Sequence, residues 1–451
     1  MEEFLFLHCI PAIHRKLCHS HSQMYLSILL ASILGSLFTL FVQPIHGFCI
    51  YCSVLLLQPQ VMLLPLGSVD FNSSRVVVLS LLLATIIKRP DLCRNLRWNL
   101  ADSSLLLFFF GQVLALMQTE PLMTVVENRA GRFFDTILPY ILTRLIIVTR
   151  RDLTIFLRCL LTIAVVLAFF GILESLTGRN VIGFSFADPS IMRHGFYRAR
   201  GTFSVSIAFG LLFSQMFAVA LSLWLHKDFR RFYLALSAII SMFGALSSMS
   251  SGPIFALYVT VLFLAMYPIR KTWPLILTSI IAMLVMVDCL SNRRWYHVLT
   301  RLALSGSKSY YRIQLYQETF GGGMTGRWLF GWGLVDMYSS YDRFPWVHTD
   351  LTSWYIATIV RYGLVGALPL LLFIVAYSRE MCRGFAAAIS PADRWMVWCI
   401  AGGQIGWNVA MFTVNSVSQT LTLIFVFPAL ICNLASIMRA GSPSRSSTER
   451  C

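Results

Sequence analysis

Charged residues are scarce in this chain of 451 residues. They make up 12% of the sequence, whereas soluble domains contain roughly 25%. This scarcity argues against a soluble enzyme of several domains and favours a single membrane domain with a loop insertion. The formal net charge of +16 does not indicate a nucleic-acid partner, because the basic residues are scattered between apolar segments and form no long block. Membrane topology and anionic lipid ligands explain them better.

Motifs for metals, nucleotides and transport are also lacking. Cys49-x-x-Cys52 is the only close cysteine pair, and because it lies in an apolar stretch we expect helix packing there and not a metal or redox site. No glycine-rich run ends in the Gly-Lys-Ser/Thr of a phosphate-binding loop. The sequence has no internal repeat with paired broken helices, which disfavours a secondary transporter. We therefore expect no metal and no cofactor.

Apolar runs near twenty residues are abundant, which predicts an all-α polytopic integral membrane protein with about 12 transmembrane helices. The first run follows Arg15 and Lys16 and is too long for a signal peptide, so we expect an uncleaved first span. A total of about 12 requires one of the first three runs to be re-entrant or merged. The candidate spans are Met24–Val42, Phe48–Leu66, Val76–Ile87, Ser103–Met117, Phe134–Val148, Ile155–Leu176, Ser204–Leu225, Phe232–Ser248, Pro253–Tyr267, Trp273–Leu290, Leu351–Tyr377, Trp395–Val414 and Thr420–Met438.

Lys and Arg are enriched at every second connection between these runs, which assigns those connections to the cytoplasm. They include Lys88-Arg89, Arg150-Arg151, Arg230-Arg231, Arg270-Lys271 and Arg379 with Arg383. The predicted organisation is a cytoplasmic segment 1–22, a transmembrane region 23–290 with an outer loop 177–203, a large periplasmic loop 291–350, transmembrane helices 351–438 and a disordered cytoplasmic tail 439–451.

The two outer loops carry positive charge on the side where the topology rule disfavours it. The loop 177–203 has four arginines against Asp188, and the loop 291–350 has seven Lys or Arg against four acids. A polar loop as long as 291–350 is uncommon unless it is functional or disordered. We expect both loops to face an anionic ligand at the outer leaflet.

Arg198 and Arg200 are the first candidate site residues. They stand two residues apart, directly before an apolar span, and can offer planar forks to a phosphate while Gly201 lets the backbone approach closely. The alternative is that both arginines anchor a helix end at the lipid headgroups.

The long loop supplies the other candidates. Arg312 and Tyr316 share a face if that stretch is helical, and Arg327 lies in a glycine-rich passage that suits a chain turning beneath a substrate. His348 is a candidate general base, and Asp350 can orient it or act in its place. The alternatives are a flexible outer loop and a structural histidine.

These motifs together resemble the O-antigen ligase and polymerase superfamily. Arg198-Ala-Arg-Gly-Thr-Phe203 is similar to the family's R-x-x-G-T-F signature, and Glu174-Ser-Leu-Thr-Gly178 is similar to the passage that often precedes it. Further resemblances are Ser250-Ser-Gly-Pro253, Arg312-x-x-x-Tyr316, Phe330-Gly-Trp-Gly333, and His348-x-Asp350 followed by Tyr362-Gly-Leu-Val-Gly366.

Two departures refine the resemblance. Ser206 stands near the place where the family usually has a proline. Thr349 follows His348, whereas ligases and many polymerases have asparagine after this histidine. The second departure favours the polysaccharide polymerases, especially those of exopolysaccharides, over the ligases that act on lipid A-core.

The resemblance implies transfer of a glycan from undecaprenyl pyrophosphate to an acceptor hydroxyl at the periplasmic face of the bacterial inner membrane, with inversion. Arg198 and Arg312 would then bind the pyrophosphate, with Arg200 and Arg327 as secondary ligands, and His348 or Asp350 would take the acceptor's proton. The implied partners are the lipid-linked glycan, membrane lipids and a chain-length regulator.

Three other classes remain open from the sequence. One is an O-antigen ligase, and another is a transporter or flippase in which the outer arginines bind a lipid-linked glycan without reaction. The third is a glycosyltransferase that uses a polyprenyl phosphate sugar, but its early outer loops usually contain an acidic catalytic pair. Here those loops offer only Asp70, Glu120 and Glu127.

Overall fold

The computed structural model describes most of the chain. The described residues are 26, 29–59, 64–66, 69–91, 96–182, 192–193, 195–226, 230–272, 275, 278–279, 282, 286, 313–337, 351–415 and 419–440. The predicted site residues Arg312, His348 and Asp350 lie outside them, as do the predicted segment 1–22 and the tail from Gly441.

Helices make up nearly all the regular structure in the described residues, which confirms the all-α prediction. They are α1 Leu29–Phe41, α2 Pro44–Leu57, α3 Ser73–Lys88, α4 Leu100–Leu116, α5 Leu122–Arg132, α6 Leu138–Ile146, α7 Arg150–Thr177, α8 Ser206–Ser222, α9 Arg231–Ser247, α10 Ser251–Ala265, α11 Trp354–Ala387, α12 Pro391–Ala410 and α13 Gln419–Ala440. Two short antiparallel hairpins add β1 Leu64–Leu66 with β2 Val69–Phe71, and β3 Met192–Arg193 with β4 Phe196–Tyr197.

Three of these helices, α7, α11 and α13, are long and apolar enough to cross a membrane. Shorter apolar helices of 10–17 residues are α1, α2, α4, α8, α9 and α10. A helix satisfies its own backbone hydrogen bonds, which a membrane-spanning segment requires. The helices therefore support a membrane protein, whereas the described residues do not confirm the predicted number of about 12 spans.

The helix α13 forms the centre of the bundle, and almost every one of its side chains is buried. It packs against α6, α11 and α12, while α11 packs against α4. The second half of the bundle is built on α8, which contacts α9, α10 and α12. The core therefore extends through both halves of the bundle. The polar contacts described next lie towards its two ends.

One end of the bundle carries the basic connections, and we call it the basic end. Arg150 forms an ion pair with Asp393 across the bundle, and its guanidinium lies 3.4 Å from a ring nitrogen of His226. Nζ of Lys88 donates to the carbonyl of Val42 at 2.6 Å. These contacts bring residues from several of the basic connections together at one end of the bundle, and the assignment of this end to the cytoplasm stays a prediction.

The opposite end contains the hairpin β3–β4, the chain up to α8 and the segment 313–337, and we call it the loop end. Two irregular helices lie there. The first is α5–α6, whose helix begins at Leu122, well before the predicted span start at Phe134. A π-helical turn at Phe133–Ile137 joins its two halves, because Pro139 lacks an N–H and its ring would clash with the carbonyl of Asp135 in a regular α-helix.

The second irregular helix is α11, which unwinds at Gly363. Gly363 has φ +58° and ψ −157°, a conformation that only glycine adopts readily. The unwound groups find partners in the segment 328–333. The N–H groups of Trp332 and Gly333 donate to the carbonyls of Val360 and Arg361, and those of Leu364 and Val365 donate to Trp328 and Leu329. The glycine-rich passage of the long loop thus docks onto α11.

A buried ion pair ties three helices together near the basic end. Asp102 of α4 and Arg144 of α6 are 3% and 5% exposed, and Nε of Arg144 donates to Oδ1 of Asp102 at 3.0 Å. The hydroxyl of Tyr140 donates to the same oxygen at 2.7 Å. The guanidinium of Arg144 also bonds the side chain of Asn433 on α13. The pair is fully hydrogen-bonded, which is what allows it to remain buried.

Replacement of Asp102 by asparagine should destabilise the protein by about 3–5 kcal/mol, because it leaves the charge of Arg144 buried without a carboxylate. The midpoint of thermal unfolding in detergent measures this loss. Asp91→Asn is the control, because Asp91 and its partner Arg89 are 54% and 51% exposed and such pairs contribute at most about 1 kcal/mol. Equal midpoints for the two variants would contradict the prediction.

Replacement of Gly363 by alanine should release the segment 328–333 from α11. A Cβ at this position would lie 2.4 Å from the carbonyl oxygen of Leu329, and the strained φ adds about 1–3 kcal/mol. Trypsin should then cleave faster after Arg327, which limited proteolysis measures. Gly321→Ala is the control, because a Cβ there meets nothing within 4 Å. Unchanged cleavage in Gly363→Ala would show that this contact does not hold the segment.

Candidate functional site at the loop end

The turn from Arg198 to Gly201 is held by the carboxylate of Glu174. Glu174 lies in the last turn of α7 and is 1% exposed. Its Oε2 accepts from the backbone N–H of Gly201 at 2.8 Å and of Arg200 at 3.2 Å. The two motifs that the sequence places before α8 therefore meet, and Glu174 fixes the backbone that carries the arginines.

Further bonds fix the same turn against its neighbours. The N–H of Ala199 donates to the carbonyl of Ser247 at 3.0 Å, and the hydroxyl of Thr202 donates to the carbonyl of Leu56 at 2.6 Å. Gly201 has φ +54°, and a Cβ there would lie 2.8 Å from the ring of Phe209. The glycine of the Arg-x-x-Gly-Thr-Phe motif is thus required by the backbone and by the close packing beneath it.

The side chain of Arg198 is half-buried on this fixed turn. Its Nε is buried and has no hydrogen-bond partner among the described residues. Burial lowers the pKa of the Arg198 guanidinium, and the positive charge of Arg193 lowers that pKa further. A negative charge close to the guanidinium stabilises its charged form and so offsets both effects. Arg198 is therefore placed to bind an anion. Arg200 shares the turn, and its N–H is held by Glu174.

Arg327 lies apart from this turn, in the segment 313–337. Its side chain is exposed, and its guanidinium carbon lies 5.3 Å from the ring centre of Trp332. Trp332 is in turn fixed, because its indole N–H donates to the carbonyl of Gly323 at 3.0 Å. Tyr316 anchors the start of the segment with a hydroxyl bond of 3.0 Å to the carbonyl of Phe412. The segment therefore presents Arg327 above the break in α11.

A cavity of about 170 Å³ lies beside this break. Its walls come from α4, α5, the π-helical turn, α11 and α13. Two arginines line it, Arg132 and Arg361, together with the polar side chains of Gln112, Thr136, Thr358 and Asn415. Aromatic walls are supplied by Phe108, Phe109, Trp354, Tyr362 and Phe425. We call this site the arginine cavity.

A third arginine, Arg129, supports the wall of the cavity and is 4% exposed. Its guanidinium donates to the side-chain oxygen of Gln112 and, at 3.2 Å, to the hydroxyl of Tyr362. The guanidinium carbon of Arg129 lies 5.3 Å from the ring centre of Tyr362, and Tyr362 lines the same cavity as Arg132 and Arg361. Among the described residues, no carboxylate forms an ion pair with any of the three.

These three arginines are not among the site residues predicted from the sequence, although two features of the sequence point to them. Arg129 and Arg132 lie in the predicted outer connection between the spans Ser103–Met117 and Phe134–Val148, where the topology rule disfavours positive charge. Arg361 lies inside the predicted span Leu351–Tyr377, and an ionisable residue in an apolar span is a functional candidate by default.

The Arg198 turn and the arginine cavity are linked through α13. The side-chain amide of Gln419, at the start of α13, lies 3.4 Å from the carbonyl oxygen of Thr202 and donates to it. Leu421, two residues further on, lines the cavity. Of the predicted residues that the structure describes, Arg198 and Arg200 thus share one turn, and Arg327 lies in the segment 313–337 beside Trp332. Arg312, His348 and Asp350 lie outside the described residues and stay predictions.

The chemistry that this arrangement offers is the binding of anions. Its charged groups are guanidinium groups, which form short, charge-assisted and often paired bonds to phosphate and carboxylate oxygens. In the part of the chain that the structure describes, no group of three or more His, Cys, Asp or Glu side chains is placed to hold a metal ion. Cys49 and Cys52 of α2 are free thiols, and Cys52 is packed in the core.

Comparisons with known proteins add little. No model of a protein family matches the sequence, and no curated protein matches it. Among solved structures, a chain from a study of polymerization and crosslinking by a peptidoglycan synthase complex is similar over 76% of this chain and 97% of its own length. The identity is 14% and the TM-score is 0.36, and we draw no argument from a likeness this weak.

Replacement of Glu174 by alanine should loosen the Arg198 turn, because two buried N–H groups lose a charged acceptor. Such bonds are each worth about 1.5–3 kcal/mol. We expect a lower midpoint of thermal unfolding than for Glu174→Gln, in which the amide oxygen still accepts from the same groups. If the alanine and glutamine variants unfold at the same temperature, the bonds to Glu174 do not hold the turn.

Proposed function

We propose that this protein polymerises oligosaccharide repeat units that are linked to undecaprenyl pyrophosphate, at the periplasmic face of the inner membrane. The product would be a cell-surface polysaccharide or exopolysaccharide. The proposal rests on the motifs that resemble the O-antigen ligase and polymerase superfamily and on what those motifs do in the fold. Thr349 after His348 is the reason for preferring a polymerase to a ligase.

The observation that carries the proposal is a set of arginines at the loop end, Arg198, Arg132 and Arg361, that form no ion pair with any carboxylate among the described residues. Arg198 stands on a turn that Glu174 holds, and Arg132 and Arg361 line the cavity that α13 links to this turn. A membrane protein that keeps such cations half-buried needs an anion to neutralise them. A pyrophosphate-linked glycan carries such an anion at the depth of the membrane surface.

Transfer requires the bond between the anomeric carbon and the pyrophosphate oxygen to break. The acceptor hydroxyl attacks the anomeric carbon, and undecaprenyl pyrophosphate leaves with the bonding electron pair. Arg198 and Arg312 would stabilise the negative charge that develops on the leaving oxygen, with Arg200 and Arg327 as secondary contacts. Fixed cations act strongly in this role, because they need no reorganisation during the reaction.

The acceptor hydroxyl also has to lose its proton. His348 is the candidate base, and Asp350 would orient it or act in its place. A metal is not required in this scheme, because two or three arginines can together stabilise the charge that a magnesium ion would otherwise neutralise.

Replacement of Arg198 by alanine should slow polymerisation roughly 10- to 100-fold, the equivalent of one charge-assisted contact. Arg198→Lys should fail as well, because lysine has no planar fork. Arg312→Ala and His348→Ala should also abolish long polymer. The measurement is the length of polysaccharide in cells whose native gene is replaced by each variant, at matched protein levels.

Arg179→Ala is the matched control, since Arg179 is an exposed arginine on the same loop and should be dispensable. A second measurement uses purified protein with lipid-linked repeat units, because a transporter or flippase cannot lengthen the product. Long polymer in a variant that lacks Arg198, Arg312 and His348 together would overturn the proposed function.

A further inference from the structure

The arginine cavity is built from parts of the chain other than the Arg198 turn. Arg132 comes from the end of α5 and Arg361 from the second turn of α11, and neither belongs to a motif of the family resemblance. The Arg198 turn instead lies between β4 and α8 and rests on Glu174 and Ser247. The two clusters therefore offer two separate places for negative charge.

The positive charge of the cavity is costly without a counter-ion. Arg132 and Arg361 line one cavity with Tyr362, Arg129 bonds the hydroxyl of that tyrosine, and like charges at such a site repel each other more strongly as water is excluded. The acids nearby are engaged elsewhere. Asp135, one turn after Arg132, forms its ion pair with Arg75 at 2.7 Å, and Glu120 accepts from the N–H of Leu334 at 3.3 Å.

The cavity also has neutral polar groups that suit an oxyanion. Gln112 is held by Arg129, so its amide is fixed at the wall. Thr358 is 3% exposed and Thr136 is 7% exposed, and both line the cavity. The volume of about 170 Å³ is room for a small oxyanion, because a single water molecule needs only roughly 10–15 Å³ of such cavity volume.

We propose that the arginine cavity binds an oxyanion, a phosphate or a carboxylate, at the same time as the Arg198 turn holds the pyrophosphate of the donor. The forks of Arg132 and Arg361 bind its oxygens, and Arg129 acts as a positioning residue through Gln112 and Tyr362. This inference rests on the proposed function, in which each transfer joins two lipid-linked glycans. The second oxyanion belongs either to the phosphates of the acceptor lipid or to an acidic sugar of the repeat unit.

The test is a calorimetric titration of the purified full-length protein in nanodiscs of zwitterionic lipid. The probes are sodium diphosphate and sodium glucuronate at constant ionic strength. The variants are Arg132→Gln, Arg361→Gln and Arg198→Ala, with Arg179→Gln as the control. Arg361→Lys keeps the charge and remains informative if the glutamine variant does not fold.

Counted over the two probes together, we expect two oxyanion sites per wild-type chain and per Arg179→Gln chain. Each of Arg132→Gln, Arg361→Gln and Arg198→Ala should keep one of the two sites. The lost affinity should be roughly tenfold or more, since each guanidinium makes charge-assisted contacts. Arg361→Lys should bind several-fold more weakly, because lysine lacks the fork. If Arg132→Gln and Arg361→Gln lose a diphosphate site, the cavity is assigned to the lipid phosphates. If these two variants lose the glucuronate site, the cavity is assigned to an acidic sugar.

Two results would overturn the inference: titrations of Arg132→Gln and Arg361→Gln that match the wild type, or a single oxyanion site that disappears in Arg198→Ala. Failure of the proposed function looks different. A protein that binds two oxyanions but never lengthens a lipid-linked glycan keeps the cavity site and loses the polymerase assignment. A protein that lengthens glycans with unchanged titrations in the cavity variants keeps the activity and loses the second site.

Discussion

The loop end depends on the backbone pairing between the segment 328–333 and the unwound part of α11. Breaking a helix inside an apolar bundle leaves N–H and C=O groups that must find partners, and the glycine-rich segment supplies them on both sides of Gly363. Gly331 allows this approach, because a Cβ there would lie 2.6 Å from the carbonyl oxygen of Val360. The pairing surrounds Arg361, which lines the cavity. Two passages that are separate in sequence thus form one structural unit.

The carboxylates at the loop end bond groups other than the arginines that line the cavity. Glu174 accepts from backbone N–H groups of the Arg198 turn, and Asp135 pairs with Arg75 on α3. These carboxylates build the scaffold, and the guanidinium groups of Arg132 and Arg361 face the cavity without an ion pair to any described carboxylate. The basic end follows the opposite rule, because Arg144 is fully bonded to Asp102 and to Asn433. Arginines at the loop end thus include both paired residues such as Arg75 and the two that line the cavity.

The sequence was sufficient for the class of fold. Apolar runs predicted most of the described helices, and the motif around Arg198 directly precedes α8, as the sequence indicates. Of the site, the sequence points to Arg198 and Arg200, whose roles stay predictions. The start of α5–α6 was not predictable from apolar runs, because Leu122–Arg132 is polar on one side and Pro139 resembles a helix breaker until a π-helical turn accommodates it. Arg361 was not predicted, because an apolar run is recognised from its average hydropathy and a single charge changes that average little. The arginine cavity exists only because α11 returns to α4 and α5, which no local pattern encodes.

Each of the two buried arginines, Arg144 and Arg129, bonds one residue close in sequence and one far along the chain, and this has a consequence for assembly in the membrane. Arg144 finds its carboxylate 42 residues earlier, so the ion pair can close as soon as α4 and α6 lie side by side, whereas its bond to Asn433 spans 289 residues. Arg129 bonds Gln112 17 residues away but Tyr362 only 233 residues later. During synthesis the first half of the protein must therefore hold the guanidinium of Arg129 in a polar environment until α11 arrives. The bonds of both arginines are therefore completed only when the late helices pack against the first half of the chain, α11 for Arg129 and α13 for Arg144.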